Sequence, residues 1–185
     1  MTEEIKNIAS GLISHLQSVK NKGAKQYFQH DFDCSFFQDW NLTDIRDSDE
    51  HKEVFKKLGL ITGPVVYWFE IIPPTSNEDI RKLISKYKYS EDAKSVPALK
   101  KKYFKESTAL YVGKVKRNFW GRVIQHLGYY HVKRTQGLQL YHWAKNLGLK
   151  VRLHAYEFEP DMEDLVSIFE LKLARILKPI TGKHS

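Results

Sequence analysis

Apolar residues recur at helical spacing over residues 3–20, where Ile5, Ile8, Leu12, Leu16 and Val19 share one face and Thr2 can act as N-cap. The periodicity then lapses across an aromatic, acidic stretch from Tyr27 to Trp40, which reads as a loop. A short helix is expected from about Asp49 to Leu58. Gly63-Pro64 stops helix, and "VVYWFEII", residues 65–72, is rich in the β-branched and aromatic side chains that favour a strand. Pro73-Pro74 closes that strand, and Asn77 or Ser76 caps a helix running through Ile80, Leu83 and Ile84. After a Lys- and Tyr-rich connection, "TALYVG" predicts a second strand, residues 117–128 and 136–147 predict helices, and "VRLHAYEF" predicts a third strand. A last helix runs from about Asp161 to Leu177, because Pro179 prevents continuation. Three short strands with intervening helices make a small α/β or α+β fold.

Charge adds a direction to this picture. The chain carries 30 Lys and Arg against 22 Asp and Glu, a net +8, so a polyanionic partner is expected. Residues 100–134 hold ten Lys/Arg and one acid, Glu106, whereas residues 31–50 hold seven acids and one base, Arg46. Cys34 is the only cysteine, which excludes an internal disulfide or a multi-Cys zinc site and suits a buried small residue. No apolar run reaches the ~18 residues of a membrane span, and Met1-Thr2-Glu3-Glu4 does not open a signal peptide. The expectation is a soluble, cytoplasmic protein of a reducing compartment, with no membrane partner.

The chemistry gathers after the second strand. Gly113 stands where strand gives way to helix, either as a turn glycine or as an opening for close approach to the backbone. Arg122 and His126, four apart, stack on one edge of the helix packed by Phe119, Trp120, Val123, Ile124 and Leu127. A guanidinium there can fork phosphate oxygens, although a half-buried arginine with a solvated head has the same spacing. On the last helix Leu165, Phe169, Leu173, Ile176 and Leu177 mark the packing side, and Glu170 falls among them. A carboxylate so placed needs a partner, for which a hard cation is one candidate; Lys172, in a similar position, can snorkel outward. None of the eight histidines forms an HxH or HxxxH pair, so zinc is not expected.

Together these pieces resemble the GIY-YIG nuclease superfamily. "GPVVYWFEI" is similar to its first signature through Val66-Tyr67, and "LYVGK" to its second through Tyr111, Gly113 and Lys114. Arg122 follows Tyr111 by eleven positions and His126 by four more, while "ELKLARILKPITG" resembles the final helix, with Glu170 and Pro179 nine apart. The resemblance spans residues 63–183. Two departures stand out: 44 positions separate Tyr67 from Tyr111, and Gly182 stands where the family usually has Asn.

The resemblance implies a three-stranded, largely antiparallel sheet flanked by helices in a nuclease domain over residues 61–185, after a helical extension over residues 1–60. An insertion at about 73–107 would leave the tyrosine hairpin intact and add nine cations as a DNA clamp (Arg81, Lys82, Lys86, Lys88, Lys94, Lys100, Lys101, Lys102 and Lys105). The implied activity is metal-dependent DNA endonuclease. Glu170 would hold one Mg²⁺ (or Mn²⁺), Arg122 would offset phosphoryl charge, and Tyr67 or Tyr111 would position or deprotonate the water, with Lys114 favouring the phenolate. His126 would assist proton transfer or hold the phosphate. Lys116, Arg117, Lys133 and Arg134 are candidates for contacts to the DNA backbone; neutralising about five phosphates predicts a log K against log salt slope near −4 to −5. Two other readings stay open: a non-catalytic nucleic-acid-binding module on the same fold, and a protein–protein adaptor working through residues 1–60.

Overall fold

The computed structural model of the chain describes residues 2–73 and 75–183. Met1, Pro74, His184 and Ser185, and with Pro74 one half of the expected strand-ending pair, lie outside the described residues. The elements run α1 (Thr2–Lys22), β1 (Gln26–Asp33), α2 (Lys52–Gly59), β2 (Val65–Ile72), α3 (Asn77–Lys88), β3 (Ala109–Val115), α4 (Phe119–Leu127), α5 (Leu140–Trp143), β4 (Lys150–Glu157) and α6 (Val166–Leu177). The fold is mixed α/β around one antiparallel sheet in the order β1-β4-β2-β3.

The sheet has four strands where three were expected. The stretch expected to open as a loop at Tyr27 is β1, which pairs with β4 from Gln26↔Glu157 to Asp33↔Lys150. Its acids are cross-strand partners rather than loop markers. Asp31 sits opposite Arg152, with a 2.6 Å contact to Nε, and Asp33 lies 3.0 Å from the Lys150 ammonium. Phe28, His30 and Phe32 alternate toward the core, so the period of two was present with a histidine in an apolar slot.

β2 is central, and its continuous apolar run follows from burial on both faces. Tyr67 and Phe69 pack in the main core with Phe119 and Val123 of α4, and Val66 packs on the other face with Leu165 and Val166. Ahead of β2, the buried Glu157 carboxylate accepts hydrogen bonds from the Thr62 and Gly63 amides (3.0 and 2.6 Å), Lys25 and Gln26. A Cβ at Gly63 would lie 2.5 Å from the Phe158 carbonyl oxygen, so this close turn requires glycine. Burial alone would raise the Glu157 carboxyl; the bonds from Gln26, Gly63 and Lys25 outweigh it and lower the pKa.

The helix expected over residues 136–147 is mostly absent. Gln139 takes a left-handed φ of 58°, and α5 is a single turn followed by a 3₁₀ turn at Lys145–Leu147. Gly137 lies so close to α4 that a Cβ would sit 2.3 Å from the Gln125 carbonyl oxygen. Asn118 caps α4 by accepting from the Gly121 amide, and Ser76 caps α3 by accepting from the Asp79 amide. Ile176, expected on the packing side of α6, is 73% exposed, while Val166 and Ala174 are buried. No helix among the described residues is long and apolar enough to cross a membrane.

Candidate active site

β2 and β3 form a hairpin despite the 44 positions between their tyrosines. Tyr67 lies opposite Gly113, and Phe69 opposite Tyr111, so the two tyrosines and the glycine share a face. A Cβ on Gly113 would stand 2.6 Å from both the Tyr67 oxygen and a ring carbon of Tyr111. Gly113 therefore makes room for two phenols rather than for a turn. The pairing runs in register from Val65↔Val115 to Phe69↔Tyr111 and shifts by one residue at Glu70↔Ala109, and the connecting segment is tied to the carboxyl end: the Lys100 amide donates to the Ile180 carbonyl, and the Gly182 amide to that of Ala98. Gly182 has φ 110°, which explains locally why a glycine stands there.

α4 brings Arg122 and His126 over this face. The Arg122 Nε–H donates to the Tyr67 hydroxyl at 3.1 Å, Nη1 to Gln125 Oε1 and the Gln136 carbonyl at 2.7 and 2.6 Å, and Nη2 to the Tyr111 hydroxyl at 3.5 Å. Four of the five guanidinium hydrogens are thus directed at neutral acceptors, which leaves one on Nη2. Among the described residues no carboxylate lies within ion-pair distance of Arg122. Its charge is held but not neutralised.

His126 is fully buried. The Leu138 amide donates to its Nδ1 at 3.2 Å, so in the neutral ring the proton sits on Nε2, 2.9 Å from the Tyr67 hydroxyl. Burial, and secondarily the charge of Arg122, holds the imidazole pKa well below its usual value, so it is neutral at pH 7. The Tyr67 oxygen then accepts from both His126 and Arg122. Tyr67 is itself fully buried, and burial pushes its pKa up; Tyr111 and the nearby Glu170 charge add to that, and Arg122 opposes it. Tyr111 is only partly buried.

Glu170 arrives from the other layer. It lies between Val166 and Ala174 along the buried line of α6, with its side chain 15% exposed. The Lys114 ammonium is 3.4 Å from its carboxylate and donates to Ser167 Oγ at 2.8 Å. Strand alternation places Lys114 with Val66, on the face away from Tyr111, so its partner is α6. Tyr67, Tyr111, Arg122 and His126 form one bonded cluster, whereas Glu170 meets Lys114 on the α6 side of the sheet, the face away from Tyr67 and Tyr111.

The four surface cations behave differently from one another. Lys116 pairs with Asp164 at 2.9 Å and Glu163 at 3.5 Å, Arg117 reaches Glu163 at 3.6 Å, and Lys133 pairs with Asp92 at 2.8 Å. Arg134 is exposed. Of the nine insertion cations, Lys94 is turned inward, over the Trp40 ring and bonded to the Gly128 and Tyr130 carbonyls, and burial lowers its pKa to about 8. Sequence reasoning missed a basic cleft of about 270 Å³ lined by Lys100, Lys102, Tyr103, Phe104, Arg175 and Lys178 with no acid among its walls. It also missed the roles of Leu138 and Gln136, which act through backbone groups and leave no side-chain signature. Larger clefts, of about 440 and 410 Å³, flank Trp120 on the side of α4 opposite Arg122.

Compared with protein-family models, curated proteins and solved structures, the chain matches none of them.

Proposed function

We propose that this chain is a divalent-metal-dependent DNA endonuclease that hydrolyses phosphodiester bonds in the manner of the GIY-YIG nucleases. The observation that carries this reading is Arg122: a half-buried guanidinium with no carboxylate at ion-pair distance among the described residues, held by two phenols. A cation fixed by neutral groups is arranged to receive an anion.

The Glu170 donor set suits Mg²⁺ or Mn²⁺ only in part. Among the described residues no three His, Cys, Asp or Glu side chains gather for an ion. A single carboxylate is sufficient for an ion that keeps its waters and takes a substrate phosphate oxygen, the habit of Mg²⁺, once Lys114 has swung away. Bound there, the ion would polarise the phosphoryl oxygen it touches.

The residues of the chain then divide the remaining work. Arg122 donates its spare Nη2 hydrogen to a non-bridging oxygen and offsets the charge that grows there as water attacks. Tyr111, the less buried phenol, orients that water through its hydroxyl oxygen. Tyr67 and His126, both sealed from solvent, are positioning residues that aim Arg122. The acid-free cleft around Lys100 and Lys178, near the carboxyl end of α6, offers phosphate contacts beyond the cut site.

One observation favours the second reading, a nucleic-acid-binding module without turnover: the Glu170 carboxylate is engaged by Lys114. A plasmid-nicking assay with Mg²⁺ or Mn²⁺, run beside DNA binding by fluorescence anisotropy, separates the two. Nicking that EDTA abolishes supports the nuclease. Binding without nicking in either metal supports the module, and no binding at all contradicts both.

A further inference from the structure

The cleft of about 270 Å³ at the end of α6 has a one-sided make-up. Four of its walls are the cations Lys100, Lys102, Arg175 and Lys178, two are the rings of Tyr103 and Phe104, and none is an acid. Like charges gathered in one place repel, and no carboxylate lines the cleft to relieve them. Lys100 shows the effect: burial lowers its pKa, and no acid opposes the shift. An anion supplied from outside would remove that cost.

The rings indicate which anion. Phe104 is 54% exposed, and the Lys178 ammonium stands 3.9 Å from its ring centroid. The guanidinium carbon of Arg81 lies 3.9 Å from the Tyr103 centroid and sets a further cation against that ring. One exposed aromatic is ordinary on a protein surface. Two in sequence, each held against a cation at a basic cleft, match the way single strands are bound, with bases on aromatic faces and phosphates on nearby cations. The space is at the small end of ligand pockets, with room for one nucleotide unit and not for a duplex.

The cleft is also held in shape. Leu99 bridges Thr181, the Lys100 amide donates to the Ile180 carbonyl, and Ser107 Oγ donates to the Lys178 carbonyl at 2.9 Å, so its two sides are fixed to each other before any ligand arrives. Ala174, in its wall, follows Glu170 by one turn of α6, about 6 Å along the helix.

We propose that this cleft binds one unpaired nucleotide of a single-stranded DNA segment, its base stacked on Phe104 and its flanking phosphates held by Lys100, Lys102, Arg175 and Lys178. That a cut then falls beside such a segment rests on the nuclease reading; the binding itself does not.

The test is fluorescence anisotropy of the full chain in EDTA, where binding is read without cutting. The probes are a short labelled oligothymidylate, an abasic strand with the same phosphates, and a blunt duplex. The parent should bind thymidylate more tightly than the abasic strand. Phe104→Ala, at an exposed ring, should weaken thymidylate binding about 5- to 150-fold, the loss of one stacking contact, and leave the abasic strand and the duplex unchanged. Phe104→Tyr should retain the parental affinity. Arg175→Ala should reduce the slope of log K against log salt by about 0.7, one phosphate contact on a single strand. Equal affinity for the thymidylate and abasic strands overturns the proposal, and so does thymidylate binding indifferent to Phe104→Ala. An acidic peptide that displaces the strand as effectively as unlabelled thymidylate overturns it in favour of a protein partner. Metal-dependent nicking by a chain whose strand affinity ignores Phe104 would remove this proposal alone, whereas strand binding that follows Phe104 in a chain that never nicks would remove the nuclease reading alone.

Discussion

Arg122 depends on the groups around it, and each can be removed separately. Arg122→Lys keeps the charge but loses the fork that reaches both phenols. Cleavage by this variant is expected to fall about 10²- to 10³-fold, the loss typical when one transition-state donor is removed. Single-turnover rates check this, and an unchanged rate would exclude Arg122 from the site. Tyr67→Phe leaves the Nε2–H of His126 and the Nε–H of Arg122 without their acceptor. It should lower stability by about 1–3 kcal/mol in urea unfolding, together with activity. Lys114→Ala removes the ammonium beside the Glu170 carboxylate and should lower the Mg²⁺ concentration needed for half-maximal cutting; a higher requirement would show that Lys114 assists instead of competing. At this scale the sequence was informative wherever a side chain has one obvious reason to be present. Spacing and residue type made Arg122, His126, Tyr111 and Glu170 candidates; the structure gathers the first three around Tyr67 and pairs Glu170 with Lys114. Leu138 and Gln136 did not, because an amide and a carbonyl do the work there.

Among the elements, strong apolar runs and breakers were legible: β2, β3, β4, α3, α4 and most of α6 follow from them. β1 was hidden because its outward face is polar and acidic, and the basic partners of those acids lie about 120 residues away on β4. Residues 136–147 misled in the opposite way. Their apolar content is real, but Gly137 must fit against the α4 backbone and the Leu138 amide is committed to His126. If Asp31 and Arg152 join β1 to β4 as a pair, a double-mutant cycle with Asp31→Ala and Arg152→Ala should give a coupling of about 0.5–1 kcal/mol that shrinks in high salt. A coupling near zero at low salt would mean that backbone pairing alone holds β1.

For the whole molecule, four buried or half-buried histidines govern acid stability. Burial is the leading cause that lowers the pKa of His30, His51 and His126, and of His142 to about 4. In the unfolded chain they titrate near ~6.5. Below that pH the unfolded state takes up protons that the folded state refuses, so the histidines' contribution is constant above pH 7 and stability falls as pH drops from 6.5. His126 alone contributes a slope approaching about 1.4 kcal/mol per pH unit. Urea midpoints at pH 7.5, 6.5 and 5.5 check this; equal midpoints would mean the histidines charge freely in the fold. The overall charge did not tell which cations stand clear of acids: Lys116, Arg117 and Lys133 stand beside acids, while Lys100, Lys102, Arg175 and Lys178 line one cleft without any. The claim on which the functional account rests is that Glu170 serves phosphodiester hydrolysis. Its most direct test is the Mg²⁺-dependent single-turnover cleavage of labelled duplex by the parent chain and by Glu170→Gln, with DNA affinity measured on the same samples. The account predicts cutting by the parent, a loss of at least about 10³-fold in the variant, and affinity unchanged within about twofold. Equal cutting by both proteins would contradict it.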